Sequence, residues 1–264
     1  MLLVAFSLNS YMPTPAASGE HVRSIKSLFS CGLYFSAEMR KIRAIFFDLD
    51  NTLSDFMRMK EEACRAAVRA MIAAGLDMTQ EKAYAVLMKT YFAVGLESDM
   101  AFSEFLKSVG QFDHKILVAA INDYLKTKND FIKPYPNVEL VLQKLQKEGV
   151  ILNIVTDAPK TKALQRLSTM GIKRYFKFVV GYEDTGREKQ TGLPLMLALN
   201  KLRREVPGIL NSEILMVGDS MERDLNPAKK LGLQTALAKY GQRTEETGTA
   251  DYELMDIKDL TNFV

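Results

Sequence analysis

One short segment constrains the fold more than any other part of this chain. Residues 42–47 form a β-prone run that is apolar except for Arg43 and ends in Asp48-Leu49-Asp50. A run of this kind is typical of a central parallel strand that is covered on both faces. After Pro134, strand-like and helix-like segments alternate along the chain. This alternation predicts an α/β fold with a doubly wound parallel sheet and helices on both faces.

A long helical insertion separates the first predicted strand from the second. Its predicted helices span residues 61–74, 80–94, 101–109 and 114–126, and glycines 75, 95 and 110 break them. The later predicted strands are 150–155, 178–180, 214–217 and 234–238, and the later predicted helices are 138–146, 160–170, 194–204 and 225–231. We therefore expect a core of residues 39–55 and 134–264 and a helical insertion of residues 56–133.

Residues 1–38 differ from the rest of the chain. They open with a short apolar run that lacks a preceding basic residue, which makes a poor signal peptide, and a Pro/Ser/Gly/Ala stretch follows. A basic start at Met39 then leads directly into the first strand. We expect residues 1–38 to be a dispensable N-terminal extension outside the core.

The composition excludes several classes of function. Thirty-five Lys and Arg residues face 32 Asp and Glu residues, a balance too even to predict a nucleic-acid or membrane partner. Cys31 and Cys64 lack the spacing of a metal site and favour a reducing, cytoplasmic setting. His21 and His114 lie far from the motifs described below, so the sequence does not predict a His-based catalytic triad. No apolar run approaches the roughly 20 residues that span a bilayer. We expect a soluble cytoplasmic protein, either a monomer or a homodimer.

Polar residues follow three of the predicted strands. They are Asp48 and Asp50 after the first strand, Thr156 and Asp157 after the second, and Asp219 and Ser220 after the strand at 214–217. In open parallel sheets, ligands bind beyond the carboxyl ends of the strands, so these side chains are expected to converge. Lys189, in a loop before a predicted helix, is placed to reach the same point.

This convergence predicts a metal and a phosphate ligand. Asp48, Asp50, Asp219 and Asp224 would repel one another unless a cation lay among them. Carboxylates without His or Cys nearby favour Mg²⁺, which usually binds a substrate phosphate as well. The Thr156 hydroxyl and a lysine ammonium would then donate to the phosphoryl oxygens.

The motifs resemble, in chain order, the four signatures of the haloacid dehalogenase superfamily. They are Asp48-Leu49-Asp50-Asn51-Thr52, then Thr156, then Lys189, then Gly218-Asp219-Ser220 with Asp224. The resemblance spans residues 41–264 and implies that Asp48 is the nucleophile and Asp50 the general acid and base. It also implies that the Asp48 carboxylate, the Asp50 backbone carbonyl and Asp219 bind Mg²⁺, with Asp224 supporting them.

The remaining roles follow from the same resemblance. Asn51 and Asp157 are expected to contact substrate together with Thr156 and Lys189, and Thr52 and Ser220 to hold the loops. One departure concerns Lys189, because many relatives have a proline directly after this lysine, whereas Gln190 follows here and the nearest proline is Pro194. Lys160 or Lys162 therefore remains an alternative for the same role.

The resemblance implies a phosphatase that acts on a small phosphorylated metabolite. Family members that attack carbon lack a carboxylate at the position of Asp50, and the helical insertion matches a cap that closes over small substrates. The implied substrates are a sugar phosphate, glyceraldehyde 3-phosphate, phosphoglycolate or a nucleotide. A phosphomutase that acts on a sugar phosphate remains the first alternative, and a non-enzymatic switch that is phosphorylated on Asp48 remains the second.

Overall fold

The computed structural model describes residues 41–263, which build a six-stranded sheet with helices around it. The strands are β1 (Ala44–Phe47), β2 (Ile151–Val155), β3 (Phe176–Val180), β4 (Ile214–Gly218), β5 (Gln234–Ala238) and β6 (Tyr252–Leu254). They lie in the order β3-β2-β1-β4-β5-β6, and every neighbouring pair is parallel. The predicted α/β fold class is confirmed.

Helices connect the strands. They are α1 (Phe56–Ala73), α2 (Gln80–Val94), α3 (Ala101–Ser108), α4 (His114–Phe131), α5 (Val138–Lys147), α6 (Lys160–Thr169), α7 (Leu193–Glu205) and α8 (Asn226–Lys230). The first four follow one another between β1 and α5 without an intervening strand. None of the helices in residues 41–263 is long and apolar enough to cross a membrane.

Strand β1 is apolar because both faces of the sheet are covered at its position. Ala44 and Phe46 belong to the hydrophobic cluster on one face, and Ile45 and Phe47 belong to the cluster on the other. All four side chains are buried, since β1 lies between β2 and β4. The same position puts the end of β1 at the centre of the sheet edge.

Helices α1 to α4 have a hydrophobic cluster of their own, which includes Val68, Leu87, Phe105 and Ile116. Two chain segments join these helices to the sheet, and they run side by side. Ser54 pairs with Pro134 in an isolated antiparallel bridge, and the Tyr135 amide donates to the Leu53 carbonyl oxygen at 2.9 Å. The chain therefore enters and leaves the helical region at one place.

Several element boundaries differ from the expected ones. Helix α1 begins at Phe56 rather than at residue 61, because the Asp55 carboxylate accepts a hydrogen bond from the Arg58 amide at 3.0 Å and caps the helix. Helix α4 continues to Phe131 rather than ending at residue 126, and strand β6 was not predicted. The expected extension at residues 1–38 lies outside the described residues.

Candidate active site

The loop after β1 begins the site. The Asp48 amide donates to the Val217 carbonyl oxygen at 2.9 Å, which ties the start of the loop to β4. Asn51 has a positive φ of 62°, a backbone conformation that Asn tolerates better than most residues. Its side-chain oxygen accepts a hydrogen bond from the Met57 amide at 3.2 Å. The loop therefore turns sharply back and connects directly to the first turn of α1.

The Asp48 carboxylate is buried and faces a lysine. The Lys189 ammonium forms an ion pair with Asp48 Oδ1 and another with Asp224 Oδ1, the latter at 2.6 Å. The Thr52 hydroxyl donates to Asp48 Oδ2 at 3.4 Å. Lys189 is only 2% exposed, so a single buried cation lies between two buried carboxylates. Both carboxylates raise the pKa of Lys189, although burial opposes this shift.

The structure distinguishes the three candidate lysines. Lys160 pairs with Asp184 at 2.8 Å, and Lys162 pairs with Asp99 at 2.8 Å. Of the three, Lys189 contacts Asp48, even though the residue directly after it is Gln190 and not a proline. Its backbone amide donates to Asp157 Oδ1 at 2.7 Å. Asp157 therefore anchors the loop that carries the lysine.

Thr156 directly follows β2, the neighbour of β1 in the sheet. Its hydroxyl oxygen accepts a hydrogen bond from the Ala158 amide at 3.2 Å, and its own amide donates to the Val180 carbonyl oxygen. The side chain is buried. Within residues 41–263 the Thr156 hydroxyl donates no hydrogen bond, so its hydrogen is available to an acceptor at the sheet edge.

Three carboxylates form a cluster that suits a cation. Asp48, Asp219 and Asp224 each offer an oxygen within 4.8 Å of the others. Gly218 makes this approach possible, because a Cβ at that position would lie 2.5 Å from the Asp224 carboxylate. The Ser220 amide donates to Asp224 Oδ2 at 3.1 Å and fixes its orientation. A cluster with only hard oxygen donors fits Mg²⁺ better than it fits a softer metal.

The electrostatics of the cluster also favour a cation. Burial, reinforced by the Asp48 and Asp224 charges, raises the pKa of Asp219. Burial likewise raises the pKa of Asp224, against the opposing effect of Lys189. Arg223 and Lys189 are the nearby cations, and Arg223 lies 3.4 Å from Asp219 Oδ1. A bound divalent ion would stabilise the charged form of these carboxyl groups.

Asp50 has a different partner from the cluster. Its Oδ2 atom accepts a hydrogen bond from the Arg166 guanidinium at 2.8 Å, whereas its Oδ1 atom is buried without a hydrogen-bond partner in residues 41–263. Burial raises the pKa of Asp50 to about 7, although the Arg166 charge opposes this shift. A carboxyl group with such a pKa can donate and accept a proton near neutral pH.

A cavity of about 720 Å³ lies between the sheet edge and the helical region, beside Asp50 and Asp219. The sheet edge contributes Asp50, Asn51, Asp157 and Asp219 to its lining, and the helical region contributes Phe56, Phe92, Leu96 and Glu97. Asn51 and Asp157, expected to contact substrate, therefore face this space. Its volume suits a small metabolite.

Three residues near the site were not predicted from the sequence. Arg166 contacts Asp50, Glu97 contacts Arg166, and Glu246 accepts a hydrogen bond from the Ser220 hydroxyl at 2.9 Å. Arg166 could have been noticed, because it lies with Ala163 and Leu167 on the apolar stripe of α6. A charged residue on a buried helix face indicates a partner. Glu97 and Glu246 lie in loops and carry no comparable signal.

Carboxylates, a lysine and a threonine lie together at the carboxyl edge of this parallel sheet. This arrangement is typical of an α/β enzyme that has its active site at that edge. The family model of haloacid dehalogenase-like hydrolases matches residues 45–238. The chain therefore belongs to the haloacid dehalogenase-like hydrolase family.

Relatives with named activities are similar over most of their length. The glyceraldehyde 3-phosphate phosphatase of Methanocaldococcus jannaschii is 31% identical over 226 residues, which cover 84% of this chain and 97% of that protein. The phosphoglycolate phosphatase of Yersinia pestis is 29% identical over 231 residues, which cover 84% of this chain and 93% of that protein.

Solved structures share the fold. A magnesium-bound hydrolase of the same superfamily from Bacillus subtilis superposes with a TM-score of 0.61 at 20% identity, covering 84% of this chain and 98% of that one. A β-phosphoglucomutase structure from Thermotoga maritima superposes with a TM-score of 0.64 at 17% identity, covering 84% and 99%. At these identities, the similarity concerns the fold alone.

Proposed function

We propose that this protein is a Mg²⁺-dependent phosphatase that hydrolyses a small phosphate monoester through a phosphorylated Asp48. One observation carries the proposal. The buried Asp48 carboxylate pairs with the Lys189 ammonium and belongs to the acidic cluster with Asp219 and Asp224, beside a cavity that Asp50 lines. A nucleophile, a charge-stabilising cation and an acid group are thus within one site.

In the first step, a carboxylate oxygen of Asp48 attacks phosphorus, and the bond between phosphorus and the ester oxygen breaks. Asp50 gives its proton to the departing oxygen. Lys189 and the Thr156 hydroxyl stabilise the charge that spreads over the phosphoryl oxygens, with Asn51 and Asp157 beside them.

In the second step, water attacks the phosphorus of the phosphorylated Asp48. The bond between phosphorus and the Asp48 oxygen breaks, inorganic phosphate leaves, and Asp50 takes the proton of the attacking water. The Oδ1 atom of Asp50, which has no hydrogen-bond partner among the described residues, supports this alternating role. Thr52 and Ser220 hold the loops in place through their contacts with Asp48 and Glu246.

Asp48, Asp219 and the backbone carbonyl of Asp50 are the proposed Mg²⁺ ligands, and Asp224 supports them. When bound, the ion supplies positive charge that offsets the carboxylates and the phosphoryl oxygens. The oxygen-only cluster supports this assignment.

We further propose that residues 56–133 are a cap over a core formed by residues 39–55 and 134–264. The separate hydrophobic cluster of α1 to α4 supports this division, as do the adjoining connections at Ser54 and Pro134. A capped cavity favours small esters of the kind named for the relatives, glyceraldehyde 3-phosphate and phosphoglycolate. The low cysteine content fits a cytoplasmic location.

The test is phosphate release from a panel of small phosphate esters with and without Mg²⁺. The panel includes aldehyde, carboxylate, sugar and nucleoside monophosphates, and it compares the unaltered protein with Asp48→Asn. Asp123→Asn, an exposed change on α4, is the matched control. We expect Mg²⁺-dependent release that Asp48→Asn abolishes and Asp123→Asn retains.

Two other outcomes would contradict the proposal. Phosphoryl transfer between sugar positions without net release would indicate a phosphomutase. A phosphorylated Asp48 that persists without turnover, detected by mass spectrometry after rapid quenching, would indicate a switch.

A further inference from the structure

Arg166 links three parts of the molecule. It projects from α6, is only 2% exposed, and donates to Asp50 Oδ2 through one terminal nitrogen and to Glu97 Oε1 through the other. Its guanidinium carbon also lies 5.2 Å from the centre of the Phe56 ring, at the first residue of α1. A planar guanidinium that bridges two carboxylates holds both in a defined orientation.

This contact makes the two oxygens of Asp50 unequal. Oδ2 is occupied by Arg166, and Oδ1 is buried without a hydrogen-bond partner in the described part of the chain. Because a cationic donor occupies Oδ2, the proton of a protonated Asp50 belongs on Oδ1. Asp50 and Arg166 therefore have the arrangement required to present one oxygen to a leaving group.

The other partner of Arg166 comes from the helical region. Glu97 lies in the loop between α2 and α3, at residues 95–100. Lys162, one turn before Arg166 on α6, contacts the same loop, since its ammonium pairs with Asp99 at 2.8 Å and lies 3.8 Å from Glu97 Oε2. Arg166 contacts both this loop and Asp50, whereas the ion pairs of Lys162 involve the loop alone.

We propose that Arg166 is the positioning residue for the acid Asp50, and that Glu97 holds Arg166 in place when the helical region covers the site. The inference rests on the proposed phosphatase function. Glu97 reaches Arg166 only when the loop lies against α6, so the guanidinium that orients Asp50 is fixed from both sides only in the covered site. Proton donation is in this way coupled to exclusion of water.

The test exploits the leaving group. An alkyl alcohol must be protonated as it departs, whereas 4-nitrophenolate departs without a proton, so the two esters differ in their need for Asp50. The ratio kcat/KM reports the steps up to phosphorylation of Asp48. We expect Arg166→Met to lower kcat/KM for glycerol 3-phosphate about 100-fold, a factor typical of the loss of general acid catalysis. For 4-nitrophenyl phosphate we expect a loss of less than about 5-fold, because its leaving group needs no proton.

Lys162→Met is the matched control, because it removes a cation that binds the same loop from the same helix. We expect it to change kcat/KM for the two esters by the same factor. Arg166→Lys keeps the charge without the fork and should give an intermediate, still selective loss; it carries the test if Arg166→Met does not fold. Equal losses on both esters in the Arg166 variants would overturn the proposal, because a structural role does not depend on the leaving group.

Glu97→Gln tests the link to the helical region. It removes the charge that holds Arg166 and leaves Asp50 and Arg166 intact. We expect a selective loss on the alkyl ester, about 5- to 10-fold and smaller than that of Arg166→Met. A Glu97→Gln protein that treats both esters alike would refute the coupling.

Failure of the proposed function gives a different result. In that case the unaltered protein releases no Mg²⁺-dependent phosphate from either ester. Failure of the inference alone leaves the unaltered protein active on both esters and removes only the selectivity of the variants.

Discussion

Two lysines are equally buried in this molecule, and their surroundings shift their pKa values in opposite directions. Lys189 at the sheet edge and Lys60 on α1 are each 2% exposed. The Asp224 and Asp48 carboxylates raise the pKa of Lys189, despite its burial. Burial lowers the pKa of Lys60 to about 8, because its ammonium meets the Tyr124 hydroxyl at 2.8 Å and the Tyr91 ring at 3.7 Å rather than carboxylates.

The difference separates the roles of the two regions. At the sheet edge, buried charges are balanced by other buried charges, so the loss of one leaves its partners uncompensated. In the helical region, the buried Lys60 ammonium lies against aromatic rings that carry no net charge. Its charged form is therefore stabilised less than that of Lys189. We therefore expect the chemistry at the sheet edge, whereas the helical region contributes apolar residues to the lining of the cavity.

The largest effect is expected for Lys189→Met. The variant leaves Asp48 and Asp224 buried without their shared cation, so we expect the free energy of unfolding in EDTA to fall by about 3–5 kcal/mol. We expect kcat to fall about 100-fold or more, because the phosphoryl oxygens lose a cationic donor. Denaturant unfolding and phosphate release measure the two effects.

Lys160→Met is the control, since it removes a partly exposed lysine that pairs with Asp184. Its unfolding free energy should change by less than about 1 kcal/mol. If both variants lower the free energy of unfolding equally, the carboxylates around Lys189 do not account for its contribution to stability.

Gly218→Ala should have a smaller effect than Lys189→Met. The new methyl group would lie 2.5 Å from the Asp224 carboxylate, so the carboxylate must move away from Lys189 and the cluster. We expect a loss of about 1–3 kcal/mol in the free energy of unfolding. In an Asp224→Gly background the same change should cost much less, and an unchanged cost there would show that Asp224 is not the obstacle.

The pH dependence of stability tests Lys60. Its ordinary pKa of 10.5 falls to about 8 in the folded chain, so the unfolded chain binds more protons between these values. The free energy of unfolding should therefore gain about 2–3 kcal/mol from this group as the pH rises from about 8 to 10.5. Lys60→Met should lack this gain, and exposed Lys82→Met should retain it. Identical slopes in all three proteins would contradict the lowered pKa.

The smallest effect is expected for Tyr124→Phe. It removes the hydroxyl that accepts the Lys60 hydrogen bond, so we expect the free energy of unfolding at pH 7 to fall by about 1 kcal/mol. Tyr84→Phe on the neighbouring helix α2 should cost less. A larger loss for Tyr84→Phe would mean that the Tyr124 hydroxyl does not stabilise the buried ammonium.

The sequence predicted helices and strands well where period and length carry the signal. Helix α2 and strand β5 have the expected bounds, and β1 was recognised because both of its faces are apolar. The strand β6 was missed, and the start of α1 was placed five residues too late. Strand β6 has three residues, too few for a pattern, and α1 begins where the Asp55 cap dictates rather than where the apolar period starts.

The candidate site divides in the same way. The motifs at strand ends predict a cluster of the Asp48, Asp50, Asp219 and Asp224 carboxylates. The structure brings three of them together, whereas the Asp50 carboxylate pairs with Arg166. The choice among Lys160, Lys162 and Lys189 was open in the sequence, because loop residues can reach several places. Arg166 was missed because its partners lie far away in the chain, Asp50 in the first loop and Glu97 in the helical region.

The sequence by itself determined the parallel sheet, the order of its motifs and the family, because these depend on local period and on residues fixed to strand ends. Only the tertiary structure decided which cation faces which carboxylate. Lys189, Lys60 and Arg166 are all buried cations, and what distinguishes them is the charge brought next to each by distant segments. Electrostatic interactions act across space, and a local pattern that indicates a buried cation does not identify the charge that faces it.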